Sequence, residues 1–380
     1  MAGLADDDGR STRALAWAAT MHGHGGAAVR RAHAEPGPVV GPLTPRDREE
    51  READEVSLAV GATRSRGAGH RAVEEAPDPR RTCFERDRDR ILHGAAFRRL
   101  AGKTQVFILP DDHQRTRLTH ALEVAQVAVG IARACRLNVA LTEAIALGHD
   151  CGHGPGGHAS EDALSPYVDG GYDHATWGAD VVLTSLNLCA ETLDGIRNHS
   201  WSRPVPATPE GEVVSWADRI AYVCHDFEDA VSAGLVDPAD LPSDVRARCG
   251  TTRSAQLGAF IGGVVDAVAH DGSVGMLEPL ADALASFRTW NYERIYLRPA
   301  SVAQGRAVVE VLRALVEHVA ARPLLIPDLA AGGGVDPSSP EALRAAVTWV
   351  GGMTDRYAFR QAVTLLGWDE GRLPVSTASA

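Results

Sequence analysis

The sequence predicts an all-α protein. Apolar residues recur at 3- and 4-residue spacing in segment after segment, and the strand signal is weak throughout. Hydrophobic residues make up 44% of the chain while aromatics are only 5%, and alanine dominates. Small apolar side chains of this kind suit close helix packing. At 380 residues the chain exceeds the usual single-domain size, and one large helical domain with terminal extensions accounts for the length.

Residues 1–42 are rich in Ala, Gly, His and Arg without a sustained apolar period, which predicts a mostly disordered leader. Its ALAWAAT run is too short to span a membrane and lacks signal-peptide flanks, so neither export nor an anchor is expected. A charged helix over Pro45–Val60 is broken by the glycines of GATRSRGAG, giving a helix and linker over 43–77. A main domain is expected over 78–329.

Within it, RDRDRILHGAAFRRL reads as one helix over Glu85–Leu100, with Ile91, Ala95 and Phe97 buried and its arginines in solvent. THALEVAQVAVGIARACR follows as a helix over Thr119–Arg136, capped by Thr119 and striped by Leu122, Ala125, Val129 and Ala132. Leu141–Leu147 is largely apolar and ends in GHDCGHGPGGH, where five glycines and Pro155 force an irregular loop. Helical periods return over Val213–Val231, Ala255–Val268 and Ala303–Val319. A surface linker (330–341) then leads, through a capping Ser or Pro, into one last helix in a segment (342–371) packed on the main domain, before a tail (372–380).

The formal charge of −12 argues against broad binding to nucleic acid or to an anionic membrane surface, while leaving room for a small anion at a focused site. Cys83, Cys135, Cys151, Cys189, Cys224 and Cys249 never form a CxxC, so neither a zinc knuckle nor a disulfide framework is suggested, and a reducing cytoplasm fits best.

The chemistry centres on His149-Asp150 at the end of a buried helix, where an imidazole and a carboxylate can approach one cation from adjacent directions. Such a pair alone is weak evidence. His120 lies in the first turn of another apolar helix, and Asp218, Tyr222 and Asp226 at i, i+4 and i+8 share one helix face. A structural histidine and a solvated polar face are the bland alternatives.

The segments RDRDRILHGAAFRRLAGKTQVF, RTRLTHALEVAQ, EAIALGHDCGHGPGGHASE, GYDHA, LNLCAETLDGIRNHS, WADRIAYVCHDFEDAVSAGL and GGMTDRYAF, in that order, resemble the bacterial dGTPase-like deoxynucleoside triphosphate (dNTP) triphosphohydrolases of the HD superfamily. The resemblance implies an HD-domain helical fold with additional C-terminal helices, in which His120, His149, Asp150 and Asp218 hold one divalent metal ion. Their ligand types suit Mg²⁺, Mn²⁺, Fe²⁺, Co²⁺ or Ni²⁺ about equally. It implies cleavage of a dNTP into deoxynucleoside and tripolyphosphate, with His158 moving the proton as acid or base, Glu161 orienting it, and His153 and His174 near the phosphates. Arg117 and Arg219 would meet phosphates, Tyr222 would stack on the deoxyribose, and Asp226 with Gln105 would hydrogen-bond the 3′-OH. For His153 and His174 a structural loop role is the alternative, and for Arg219 an ordinary salt bridge.

Members of that family commonly form oligomers, often hexamers, and some require a deoxynucleotide at a second site. A homo-oligomer and a dNTP activator are therefore implied by the resemblance, although no motif encodes either. Two departures stand out. Gly94 replaces a common Ser, and Gly156 replaces a frequent aromatic, which would widen the pocket or loosen the loop. The competing readings are an HD phosphohydrolase of monophosphates or signalling nucleotides, and a non-catalytic binder of nucleotides or single-stranded nucleic acid.

Overall fold

A computed structural model of the chain describes residues 11–26, 28–332 and 335–376. The first ten residues and residue 27 of the expected leader, 333–334 of the expected linker and 377–380 of the tail lie outside the described residues. Among the described residues the chain forms seventeen α-helices and no β-strand, as the periodicity requires. None of these helices is long and apolar enough to cross a membrane.

The chain divides into Met1–Arg46 and Asp47–Ala380. In the first unit, helix α1 (Thr12–Thr20) starts where the Ser11 hydroxyl accepts the Ala14 amide, and it buries none of its residues. In the second, α2 (Arg48–Asp54) is shorter than its charge pattern suggests and passes into a 3₁₀ turn at Glu55–Ser57.

The expected helix over 85–100 is two helices, α3 (Cys83–His93) and α4 (Ala95–Arg99). Gly94 separates them with extended backbone at ψ 143°, so the ladder of α3 ends there. The predicted stripe holds at Ile91 and Phe97, which are buried. The arginines of α3 are not simply solvated: Arg86 and Arg90 both pair with Glu75.

The site rests on α5 (Arg117–Ala134), α6 (Val139–Gly148) and, after α7 (His158–Leu164), α8 (His174–Trp177) and α9 (Ala190–Asn198), on α10 (Pro209–Ser232). Helix α5 lies against both α6 and α10. Its cap is Thr116 rather than Thr119, whose hydroxyl instead accepts the Thr116 amide at 3.1 Å from the third helical position. The predicted stripe holds at Ala125 and Ala132, and Ala121, Val124, Ala128 and Ile131 are buried with them, while Leu122 is 48% exposed. Helix α6 starts where the Asn138 side chain accepts the Leu141 amide, and it is buried from Leu141 to Gly148 apart from Glu143. A Cβ on Gly148 would come within 2.5 Å of Ile196, so glycine is what lets α9 approach.

Helices α11 (Ser243–Cys249), α12 (Arg253–Asp271) and α13 (Glu278–Asn291) complete the main core, in which Phe260 and Phe287 are fully buried. Each such side chain contributes about 1.5–3 kcal/mol of hydrophobic stabilisation. A π turn at Tyr292–Tyr296 follows α13 directly. The second core joins α14 (Pro299–Ala320) and α7 to two C-terminal helices that follow α15 (Pro327–Gly332): α16 (Pro340–Gly351) and α17 (Asp355–Leu366). The sequence suggests one helix there. Thr354 instead caps α17 by accepting the Tyr357 amide, so the chain turns at Gly352–Thr354.

Candidate metal centre

His149 ends α6 with helical backbone, and its Nδ1 lies 2.7 Å from the Ala146 carbonyl oxygen. A carbonyl only accepts, so Nδ1 carries a hydrogen and Nε2 is the ring nitrogen left to face a metal ion. That Nε2 is buried without a hydrogen-bond partner and faces Asp150 Oδ1 at 3.5 Å and Asp218 Oδ1 at 3.8 Å. Two carboxylates facing one buried ring nitrogen call for positive charge among them, as a proton or as a metal ion. His120, in the first turn of α5, brings Nε2 within 3.0 Å of Asp218 Oδ1 and 3.9 Å of Asp150 Oδ2. The ligand atoms of His120, His149 and Asp150 lie within 4.8 Å of one another, as do those of His149, Asp218 and His199.

Both carboxylates are ionised. Burial would raise Asp150, but the Arg117 guanidinium at 2.7 Å and the imidazoles of His149 and His153 hold its carboxyl well below the usual range. Burial opposes ionisation of Asp218 as well, and His120 and His149 overcome it. Two imidazole nitrogens and two carboxylates from α5, the α6 end and α10 therefore fit one divalent ion.

A second cluster adjoins the first. His158 opens α7 with its side chain 74% exposed, and its Nδ1 is 2.7 Å from Glu161 Oε2. The other oxygen of Glu161 accepts from the His174 amide at 3.0 Å and contacts His174 Nδ1 at 2.7 Å. These bonds outweigh burial and hold the Glu161 carboxyl far below its ordinary value. His174 Nε2 meets His199 Nε2 at 3.2 Å, while His199 Nδ1 is taken by the Ile196 carbonyl at 2.7 Å. His199 must then accept, and His174 donates from both nitrogens. The pKa directions agree: burial lowers His199 to about 4, whereas Glu161 raises His174 against the opposing effect of burial. His153 stacks on His174 with ring centroids 3.7 Å apart, and its Nε2 lies 3.3 Å from Asp150 Oδ1, joining the two clusters.

The loop between α6 and α7 needs its glycines. A Cβ at Gly152 would lie 2.0 Å from the His174 carbonyl oxygen. Gly156, at φ +74°, packs against Val308 of α14, and its amide donates to Asp355 of α17 at 2.9 Å. The Gly156 amide is thereby tied to a side chain of the C-terminal segment.

Around the cluster, Tyr222 OH accepts from Arg288 Nε at 2.8 Å, and Asp226 is held by Arg115 and the Tyr296 hydroxyl. Gln105 Oε1 is buried and unpartnered. Arg219 has no ion pair among the described residues; it stacks on Trp201 instead. Asp218, Tyr222 and Asp226 do share one face of α10, and the sequence reading missed what they face. Arg115 and His199 stand inside quoted motifs but carry no signal of their own. Arg288 and Tyr296 belong to α13 and its π turn, a region without a recognised helical period.

The HD domain profile matches residues 117–223, and a phosphohydrolase-associated domain matches residues 274–363. A deoxyguanosinetriphosphate triphosphohydrolase-like protein of Caldanaerobacter subterraneus is 41% identical, over 79% of this chain and 90% of that one. One from Clostridium perfringens is 38% identical over 76% and 88%. A third, deoxyguanosinetriphosphate triphosphohydrolase-like protein 1 of Deinococcus radiodurans, is 34% identical over 84% and 99%.

Proposed function

The chain belongs to the deoxyguanosinetriphosphate triphosphohydrolase-like family of HD-domain, metal-dependent phosphohydrolases, and from that membership we propose that it hydrolyses dNTPs to deoxynucleoside and tripolyphosphate. The observation that carries the reading is the pairing of two arrangements in one place: two overlapping donor groups that share His149, one with His120 and Asp150 and one with Asp218 and His199, and a His158–Glu161 dyad one histidine away from them.

His120, His149, Asp150 and Asp218 would hold the ion, which when bound supplies Lewis-acid polarisation of a phosphate oxygen. The residues do the rest. Arg117, anchored on Asp150, and Arg219, stacked on Trp201 and without an ion pair among the described residues, would offer positive charge to the triphosphate. Glu161 fixes Nδ1 of His158, so the opposite ring nitrogen is the one that exchanges a proton at the scissile Pα–O5′ bond. Tyr222, steadied by Arg288, would stack on the deoxyribose and cover the sugar face carrying no hydroxyl.

Anion-exchange chromatography of the products, with each dNTP and NTP and with Mg²⁺, Mn²⁺ or Co²⁺, tests the proposal. Tripolyphosphate from dNTPs, lost in His149→Ala and His158→Ala, is the expected result. Orthophosphate as the first product, or no turnover of any dNTP alone or in mixture, would overturn it.

A further inference from the structure

Trp201 lies in the segment between α9 and α10 and is 47% exposed, yet its indole is fixed on three sides. Its Nε1 donates to the Ser215 carbonyl at 3.1 Å, and its ring meets Trp216 edge-on with centroids 4.8 Å apart. The Arg219 Cζ lies 3.5 Å from the Trp201 ring centroid, a full cation–π stack.

Arg219 follows Asp218 immediately, but that carboxylate is turned to His120 at 3.0 Å. The guanidinium has no ion pair among the described residues, and its Nε is buried without a hydrogen-bond partner. A half-buried, unpaired cation is unfavourable by itself and would ordinarily swing to solvent or to a carboxylate. Stacking on an anchored indole offsets that cost and leaves the N–H edge of the guanidinium unused. Anchoring through Ser215 and Trp216 ties the platform to α10, the helix that also supplies Asp218 and Tyr222.

We infer that Trp201 is a positioning residue for the polyphosphate of the substrate, acting by holding Arg219 unpaired and directed beside the metal cluster. The inference rests on the proposed dNTP reading, in which Arg219 meets phosphate. It requires that the indole be replaceable by another flat ring but not by an aliphatic side chain of similar bulk.

The test compares Trp201→Phe, Trp201→Leu, Arg219→Ala and the double variant Trp201→Leu/Arg219→Ala. Each is measured by dNTP kinetics and by calorimetric titration with magnesium tripolyphosphate, with circular dichroism melting confirming the fold. Trp201→Leu should raise KM and weaken tripolyphosphate binding by about tenfold each, with kcat nearly unchanged, since the contact binds ground and transition states alike. Trp201→Phe should restore most of that loss, and Trp201→Leu should add nothing once Arg219 is alanine. Unchanged tripolyphosphate affinity in Trp201→Leu, or a loss that is additive with Arg219→Ala, would overturn the inference. If the wild type hydrolyses no dNTP while Trp201→Leu still loses tripolyphosphate, the substrate reading falls and the role of Trp201 in holding an anion-binding arginine stands.

Discussion

Asp355 of α17 accepts the amide hydrogen of Gly156 at 2.9 Å, across 199 positions of sequence, in the loop that carries His153 and His158. Its second oxygen takes the Thr104 amide at 2.9 Å and the Thr104 hydroxyl at 2.5 Å. Lys103, next in the chain, donates to the carbonyls of His153 and Gly351. The C-terminal segment is thereby fastened to the HD loop rather than merely packed beside it. Asp355→Asn keeps the volume but turns one acceptor into a donor facing a donor, costing about 1–3 kcal/mol. The expected outcome is a lowered denaturation midpoint together with a kcat loss exceeding any change in metal affinity. Normal kcat in a destabilised variant would show that the fastening is structural only.

Metal addition should stabilise the apo protein. At a free ion concentration of 100 times Kd, binding to the native state alone contributes about 2.7 kcal/mol. A melting temperature that rises with Mn²⁺ or Co²⁺ in the wild type, and stays flat in His149→Ala, is expected. His158→Ala should retain the shift that the donors around His149 provide, because His158 belongs to the separate group of His153, His158, Glu161 and His174.

The all-α class and the cluster of candidate donors were legible in the sequence for different physical reasons. Helical periodicity is local, so α5, α6, α10, α12 and α14 fell within a few residues of their observed bounds. The donors were legible because HD is a contiguous pair whose partners stand in recognisable motifs. Helix breaks were less visible. Gly94 and the Gly352–Thr354 turn interrupt stretches whose periodicity runs on, since one residue in extended conformation costs little apolar pattern. The partners of the site residues were hidden for another reason. Arg115 on Asp226, Arg288 on Tyr222 and Asp355 on Gly156 are long-range pairings between groups that are individually commonplace. Only the fold makes them specific.

Glu75 predicts an acid limb of stability remote from the metal centre. Hydrogen bonds from Arg90 and Asn187, with further attraction from Arg86, lower its pKa from 4.5 to about 2. A carboxylate with a depressed folded pKa stabilises the native state above its unfolded pKa. That contribution disappears as the pH falls from 4.5 towards about 2. With the side chain 25% exposed, solvent screening reduces the contribution to about 1 kcal/mol. Glu75→Gln should therefore be less stable than wild type at pH 7 and nearly equal to it below pH 2.5. A constant difference in urea midpoint across that range would show that packing, not charge, holds α3 to this segment.

On the proposed dNTP reading, Tyr222 separates two ways of excluding a ribonucleotide. Its hydroxyl accepts from Arg288 at 2.8 Å while its ring remains on the α10 face shared with Asp218 and Asp226. If the ring itself excludes the 2′-OH, Tyr222→Phe should lower kcat/KM modestly through loss of the Arg288 bond and leave the dNTP/NTP ratio intact. Tyr222→Ala should then reduce that ratio by about 10- to 100-fold, because the space and water admitted allow a 2′-OH to be satisfied. If instead Tyr222→Phe alone collapses the ratio, discrimination resides in the Tyr222–Arg288 hydrogen bond, and Arg288→Lys should reproduce the effect with the ring untouched. Competition assays pairing dGTP with GTP, and dATP with ATP, read the ratio directly and independently of enzyme concentration.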